Sequence, residues 1–152
     1  PKPSSAASDV YKRQYLGPFT AAFGQGGTYT HQGDVGSYLG AGNNGNKITC
    51  ERSAGACAGY GQKSGRITIL DGVGDDAGSK MSGGLLIIRG DAGIRIGGGM
   101  TGGDIIVHGD VGGDPGANMI GGRIIVNGRC PTPPPGVTLR PLEKTEISQI
   151  NK

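Results

Sequence analysis

The sequence predicts an all-β fold: a single-stranded, right-handed parallel β-helix of about six 19-residue coils, followed by a short Pro-rich and helical C-terminal extension. Three observations carry that expectation. The first is a period. The second glycines of three Gly-Gly pairs, Gly84, Gly103 and Gly122, recur at a constant interval, 103 − 84 = 19 and 122 − 103 = 19, and stepping back by the same interval gives Gly65, Asn46 and Gly27. The second is the apolar content of each unit, a short run rich in β-branched residues (ITI, LLII, IIV, IIV) with no helix-length amphipathic segment. The third is composition: 33 glycines, no Trp and two Phe in 152 residues are far from ordinary globular usage. Collagen is excluded because glycine does not recur at every third position. The compact Val, Ile and Leu runs argue against disorder.

Residues 1–14, PKPSSAASDVYKRQ, share nothing with the rest of the chain; SSAASDVYKRQ resembles translated adapter sequence, and the segment is set aside from the fold as an artefactual or disordered leader. Residues 15–130 form the Gly-rich solenoid. A leucine-rich repeat would need a Leu and Asn ladder that is absent, while calcium-binding Gly-Asp repeats have a nonapeptide period and hexapeptide solenoids a multiple of six.

Stacked columns then acquire physical roles. Tyr29, Ile48, Ile67, Leu86, Ile105 and Ile124 form one inward ladder, and His31, Cys50, Ile69, Ile88, Val107 and Val126, two residues on, form a second on the same face. A third comprises Val35, Ala54, Val73, Ala92, Val111 and Cys130. The glycine columns (Gly83, Gly102 and Gly121; Gly84, Gly103 and Gly122; Gly90, Gly109 and Gly128; Gly93 and Gly112; Gly97 and Gly116) mark corners where a positive φ or close approach between coils excludes a Cβ. Six strands about 4.8 Å apart span ~29 Å. Residues 131–152 close the chain: Pro131 and Pro133 to Pro135 cannot donate ladder hydrogen bonds, and LRPLEKTEISQINK, with Leu142 and Ile147, predicts a short helix over the last coil.

The formal charge of +3 is carried by the ends. Residues 1–14 net +2 and residues 131–152 net +1, so residues 15–130 net 3 − 2 − 1 = 0. A neutral body lacks the electrostatic footprint of a nucleic-acid binder. No run approaches the roughly 20 apolar residues of a membrane helix, and no signal-peptide core precedes the repeats, so the reading is cytoplasmic.

Candidate chemistry is sparse. Asp34, Asp91 and Asp110 share a column that could bind a cation or act as an acid/base pair, but Ser53 and Gly72 interrupt it. The expectation is turn chemistry, each carboxylate accepting from amides two residues on. His108 lies in an outward column with Gln32, Glu51, Leu70, Arg89 and Asn127. His31 and Cys50 are stacked inward, yet two ligands do not make a zinc site and no CxxC or HxxxH completes one. Cys50, Cys57 and Cys130 read as reduced thiols. Asp104 and Arg123 are placed to pair, whereas Lys47 and Arg66 carry like charges in the same column. No GK[ST] follows any Gly-rich turn. Neither catalytic, cofactor-binding nor metal-binding residues are expected, and the Met81, Met100 and Met119 turns are the favoured outward docking face.

The stretch GGLLIIRGDAGIRIGGGMTGGDIIVHGDVGGDPGANMIGGRIIVNG, with its GG-x-I-x-V-x-G-D-x-G-x-x-x-G-x-x-M spacing, resembles the GXGXG domain. That solenoid occurs in the C subunit of formylmethanofuran dehydrogenase and at the C-terminus of the glutamate synthase large subunit. The match covers residues 27–130, and PPPGVTLRPLEKTEISQIN resembles the C-terminal extension of the archaeal members of the former. Toward the N-terminus the Met column holds Gly24, Asn43 and Gln62, and Cys-Ala-Gly-Tyr replaces the usual turn. The resemblance implies a non-catalytic scaffold in a complex that reduces CO2 and attaches it to methanofuran at the start of methanogenesis. A molybdenum or tungsten pterin would reside in a partner subunit, and an amidohydrolase-like subunit would complete the assembly. The alternative is a structural domain or subunit of glutamate synthase or a related amidotransferase system. An autonomous hydrolase would need a nucleophile with a base in reach, and Ser82, ahead of a Gly pair, has no His near in register.

Overall fold

The computed structural model describes residues 8–11, 26–131, 134, 137–139, 144–145 and 148. Eight strands, β1 (Ser8–Tyr11), β2 (Thr28–His31), β3 (Asn44–Cys50), β4 (Ser64–Ile69), β5 (Leu85–Ile88), β6 (Asp104–Val107), β7 (Arg123–Val126) and β8 (Val137–Leu139), form one sheet in chain order. All neighbours are parallel, and Tyr29, Ile48, Ile67, Leu86, Ile105 and Ile124 are successive register partners. The chain is a parallel β-solenoid, each 19-residue coil returning one β-branched strand to the sheet. Isolated parallel bridges Val35↔Ala54, Ala54↔Val73 and Ala92↔Val111 build a second, thinner wall. The amide following each strand continues the ladder downward, as in Glu51 to the His31 carbonyl and Asn127 to the Val107 carbonyl, both at 2.9 Å. Among the described residues, no helix is long and apolar enough to cross a membrane.

The core lies between the two walls. Ile67, Ile69, Leu86, Ile88, Ile105, Val107, Ile124 and Val126 are all fully buried. Val35, Ala54, Ala92 and Val111 are buried, with Val73 and Cys130 packed against them. A fourth inward column, Leu39, Ala58, Ala77 and Ile96, is not anticipated from the sequence. The strand ladder fits into holes left by glycine: Ile67 Cδ1 occupies the space beside Gly40, Ile105 Cδ1 that beside Gly78 and Ile124 Cδ1 that beside Gly97. The offset is the same in every case, 67 − 40 = 105 − 78 = 124 − 97 = 27, so each large side chain interlocks with the coil before it.

The methionine column corrects the sequence expectation. Met81 and Met100 are fully buried and Met119 is packed against the core, so these turns offer no docking face. The reason is the neighbouring glycine column, which leaves room for a flexible side chain; a Cβ on Gly122 would meet Met100 Cε at 2.8 Å. Toward the N-terminal end the same column holds the fully buried amides Asn43 and Gln62. Asn43 Nδ2 donates to the Asn46 carbonyl and Asn43 Oδ1 accepts from the Asn46 amide, bracing an irregularity where Asn44 pairs with Ser64 but Lys47 with Arg66. Gln62 Nε2 donates to the Gly65 and Leu85 carbonyls, while Gln62 Oε1 is buried with no partner among the described residues. Gln62→Met, which restores the thioether found one coil later, is expected to stabilise the protein by about 1 kcal/mol, since a buried unsatisfied acceptor costs on the order of 1–3 kcal/mol. Urea unfolding measures this, and a lower midpoint contradicts it.

At the corners, five stacked positions hold non-glycine residues at positive φ: Tyr38, Cys57, Asp76, Arg95 and Asp114, between 55° and 67°. Their amides point at the next coil, as in Cys57 to the Asp75 carbonyl at 2.8 Å and Arg95 to the Gly113 carbonyl at 2.8 Å. Inter-coil hydrogen bonding thus holds a conformation that L-residues disfavour by roughly 1–2 kcal/mol each.

Both ends differ from expectation. Ser8–Tyr11, inside the segment set aside as a leader, pairs with Thr28–His31 at an offset of 28 − 8 = 20 rather than 19. Backbone pairing needs no side-chain repeat. The prolines do not end the sheet either: Val137 pairs with Ile124, an offset of 137 − 124 = 13, so the final coil is shorter than those before it. Val137–Leu139 contains no proline and can continue the ladder. Lys144, Thr145 and Ser148 are helical and exposed; the rest of the expected C-terminal helix, like residues 12–25, lies outside the described residues.

Candidate functional site

The aspartate column is built at the turn after each strand, where a Gly-Asp pair leads the chain away from the sheet. Asp34 Oδ1 accepts from the Ser53 amide at 3.0 Å, Asp91 Oδ1 from the Asp110 amide at 2.8 Å, and Asp110 Oδ1 from the Arg129 amide at 2.7 Å. Asp75 Oδ1 likewise takes the Ile94 amide at 2.9 Å. Each acceptor lies 19 residues before its donor. The carboxylates therefore clip successive coils together instead of accepting from amides two residues on, because the parallel stack presents the next coil's equivalent amide directly over each turn. The clips also explain a glycine column: a Cβ on Gly109 would collide with Asp91 Oδ1, and one on Gly128 with Asp110 Oδ1. Asp91→Ala is expected to cost about 1 kcal/mol, and Asp91→Asn less because an acceptor is kept. Thermal unfolding ranks the two, and equal effects would contradict the clip.

His31 and Cys50 are register neighbours; His31 bonds to its own turn, while Cys50 reaches both its own turn and the one that follows His31. Cys50 Sγ donates to the Gly33 and Ser53 carbonyls, both at 3.6 Å, and burial pushes this thiol above its ordinary value. His31 Nε2 donates to the Asp34 carbonyl at 3.2 Å, a bond that fixes the tautomer and leaves buried Nδ1 without a partner among the described residues. All three cysteines are free thiols, with Cys57 and Cys130 half-buried. His108 is exposed in its predicted mixed column, and its carbonyl accepts from Asn127 Nδ2 at 3.3 Å. Among the described residues, no group of three or more His, Cys, Asp or Glu side chains converges as a metal cluster. Ser82 Oγ donates to the Gln62 carbonyl at 3.4 Å.

The surface carries inter-coil ion pairs. Arg123 grips Asp104 in two-pronged fashion, Nε to Oδ1 at 3.0 Å and a second nitrogen to Oδ2 at 3.2 Å. Arg95 holds Asp76 in the same way at 2.9 and 3.0 Å, a pair the sequence does not single out because two adjacent Asp residues share that turn. The hydrogen bond from Arg95 keeps the Asp76 carboxyl below its usual value. A depressed carboxyl contributes stability above its ordinary titration range and loses it as pH falls through the folded value. Acid unfolding of Asp76→Asn is accordingly expected to start from slightly lower stability at neutral pH and to depend less steeply on pH below the ordinary carboxylate range. Lys47 and Arg66 are register partners of like charge. Arg66 Nε turns toward Thr68 Oγ1 at 3.3 Å, and burial lowers its pKa.

One aromatic cluster stands out on the first coils. Tyr38 and Tyr60 stack with centroids 5.9 Å apart at 29°, and a side-chain hydrogen bond with Cys57 raises the Tyr38 phenol. The two rings come from neighbouring turns but not from one column, since 60 − 38 = 22 exceeds the repeat by three. They meet because Tyr38 takes a positive φ and Tyr60 occupies the turn where the Cys-Ala-Gly-Tyr segment departs from the repeat. A search of family models gave no match to this chain, and no curated protein matches it significantly.

Proposed function

We propose that this chain is a non-catalytic scaffold subunit of a formylmethanofuran dehydrogenase complex, holding the subunit that carries a molybdenum or tungsten pterin. The observation that supports it most is the parallel stacking from β2 to β7, its core ladder in constant 19-residue register and neighbouring coils joined by carboxylate clips and ion pairs. Such a body is stiff and presents side chains in fixed rows, which suits positioning a partner. The GXGXG-like spacing is shared with the glutamate synthase domain, and the resemblance of the Pro-rich tail to the archaeal extension favours this system over that one. On this reading the compartment is the cytoplasm, and no cofactor is bound by the chain itself. The Tyr38–Tyr60 stack is the face we assign to the contact, since aromatic side chains are enriched at interface centres.

Affinity capture from a native lysate with the full chain as bait, followed by mass spectrometry and separate metal analysis of bait and prey, tests the proposal. Recovery of a molybdenum- or tungsten-bearing pterin subunit with a metal-free bait supports it. Recovery of glutaminase or flavin proteins moves the chain to glutamate synthase, and metal in the bait alone overturns the scaffold role.

A further inference from the structure

An asparagine followed by glycine reacts readily with its own backbone, because no Cβ hinders the approach of the glycine nitrogen to the side-chain amide. The described residues hold two such pairs, Asn44-Gly45 and Asn127-Gly128, and both asparagines are exposed. The fold treats them differently. At the second pair the Gly128 amide donates to the Gly109 carbonyl at 3.0 Å and Asn127 Nδ2 donates to the His108 carbonyl at 3.3 Å, so the attacking nitrogen and the amide it would attack are both held. At the first pair the ladder slips. Asn44 matches Ser64 at an offset of 64 − 44 = 20 and Lys47 matches Arg66 at 66 − 47 = 19, and among the described residues Gly45 has no register partner on β2 or β4. Gly45 stands at φ +91° with open space beside it, the nearest atom to a Cβ there being Ser64 Oγ at 4.0 Å. That same hydroxyl donates to Asn44 Oδ1 at 2.9 Å. A donor aimed at this oxygen draws electrons from the side-chain carbon and stabilises the negative charge that develops when a nucleophile adds. Lys63 follows Asn44 in the same column, 63 − 44 = 19, and its ammonium adds a field of the same sense.

We propose that Asn44 is a self-modification site, activated by the Ser64 hydroxyl, which converts through a succinimide to aspartate and isoaspartate while Asn127 stays intact in the folded protein. The Gly45 nitrogen gives its proton to solvent base and adds to Asn44 Cγ. The new C–N bond closes a five-membered ring, the Cγ–Nδ2 bond breaks, and Nδ2 leaves as ammonia after taking a proton from water. Water then adds to a ring carbonyl and reopens the ring. Attack at Cγ gives aspartate; attack at the main-chain carbonyl carbon gives isoaspartate, in which the main chain runs through Cβ and Cγ. Water is consumed and ammonia released, with no oxidant, reductant or further reactant. Either product replaces a neutral amide with a carboxylate one coil from Lys63.

The test incubates the full chain in mildly alkaline buffer, folded and separately in concentrated urea, and follows both asparagines by peptide mapping with mass spectrometry and isoaspartyl methyltransferase labelling. In the folded protein Asn44 is expected to convert at least about tenfold faster than Asn127, since only Asn44 has a donor on its side-chain oxygen and an attacking nitrogen outside the regular register. In urea the two rates converge. Ser64→Ala, checked for an unchanged sheet by circular dichroism, slows Asn44 by about fivefold, the loss expected for one hydrogen bond. Ser64→Thr keeps the hydroxyl and restores the rate. The proposal is overturned if Asn127 converts as fast as Asn44 in the folded protein, if the difference survives in urea, or if Ser64→Ala leaves the Asn44 rate unchanged or raises it.

Discussion

Gly103→Val is expected to be among the most damaging single substitutions, lowering stability by about 3–5 kcal/mol, a large part of the roughly 5–15 kcal/mol that holds a domain folded. Two penalties add. Gly103 sits at φ +87°, a backbone conformation costing an L-residue about 1–2 kcal/mol and a β-branched one more. A Cβ there would also lie 2.8 Å from the Gly83 carbonyl carbon and 3.0 Å from Gly83 Cα. Both contacts are backbone of the preceding coil, which cannot yield without breaking the ladder, and overpacking of that kind costs roughly 1–3 kcal/mol. Gly113→Ala is the matched control, since a Cβ at Gly113 meets nothing within 4 Å. Denaturant unfolding of the two variants measures the difference, and comparable midpoints would show that inter-coil approach does not set the glycine pattern.

Ile105→Ala is expected to cost about 2–5 kcal/mol, the range for emptying a buried aliphatic site that cannot collapse. Ile105 is fully buried in the first inward ladder, between Leu86 and Ile124, and its Cδ1 fills the hole beside Gly78. The coils above and below are fixed by backbone hydrogen bonds at the strand spacing, so the cavity persists. Ile120→Ala, at an 85% exposed position, should change stability by less than about 0.5 kcal/mol. A loss below about 1 kcal/mol for Ile105→Ala would mean that the ladder is not packed as described.

What the sequence makes legible is what repeats. The 19-residue interval, the parallel strands, the inward ladders from Ile67 to Val126 and the Asp104–Arg123 pair are all consequences of stacking like on like, and a column of identical residues shows that directly. What escapes it belongs to relations between coils or to single coils. The Asp91 carboxylate reads as a local turn acceptor because sequence proximity conceals an amide 19 residues away. Positive φ at Tyr38, Cys57, Asp76, Arg95 and Asp114 carries no glycine to announce it. The Leu39, Ala58, Ala77 and Ile96 column mixes small and large residues, so its inward direction is hidden. Met81 and Met100 resemble turn residues in sequence because the glycines beside them suggest corners, whereas in the fold they are sockets for a side chain. The outward isoleucines do leave a signal, since Thr30, Thr49 and Thr68 give way to Ile87, Ile106 and Ile125 in one column. The contact between Tyr38 and Tyr60 depends on a turn conformation that neither residue type specifies.

The most direct test of the coil architecture is a pair of internal deletions. Removing residues 85–103 takes out one 19-residue unit and joins Gly84 to Asp104, which restores the order of every column. Removing residues 85–102 shifts all later side chains by one position, turning the inward ladder of β6 and β7 to solvent. Circular dichroism and thermal unfolding of both proteins give the answer. A solenoid whose coils touch only their neighbours predicts a folded, cooperatively melting protein from the 19-residue deletion and an unfolded or aggregated one from the 18-residue deletion. Identical behaviour of the two would contradict the account.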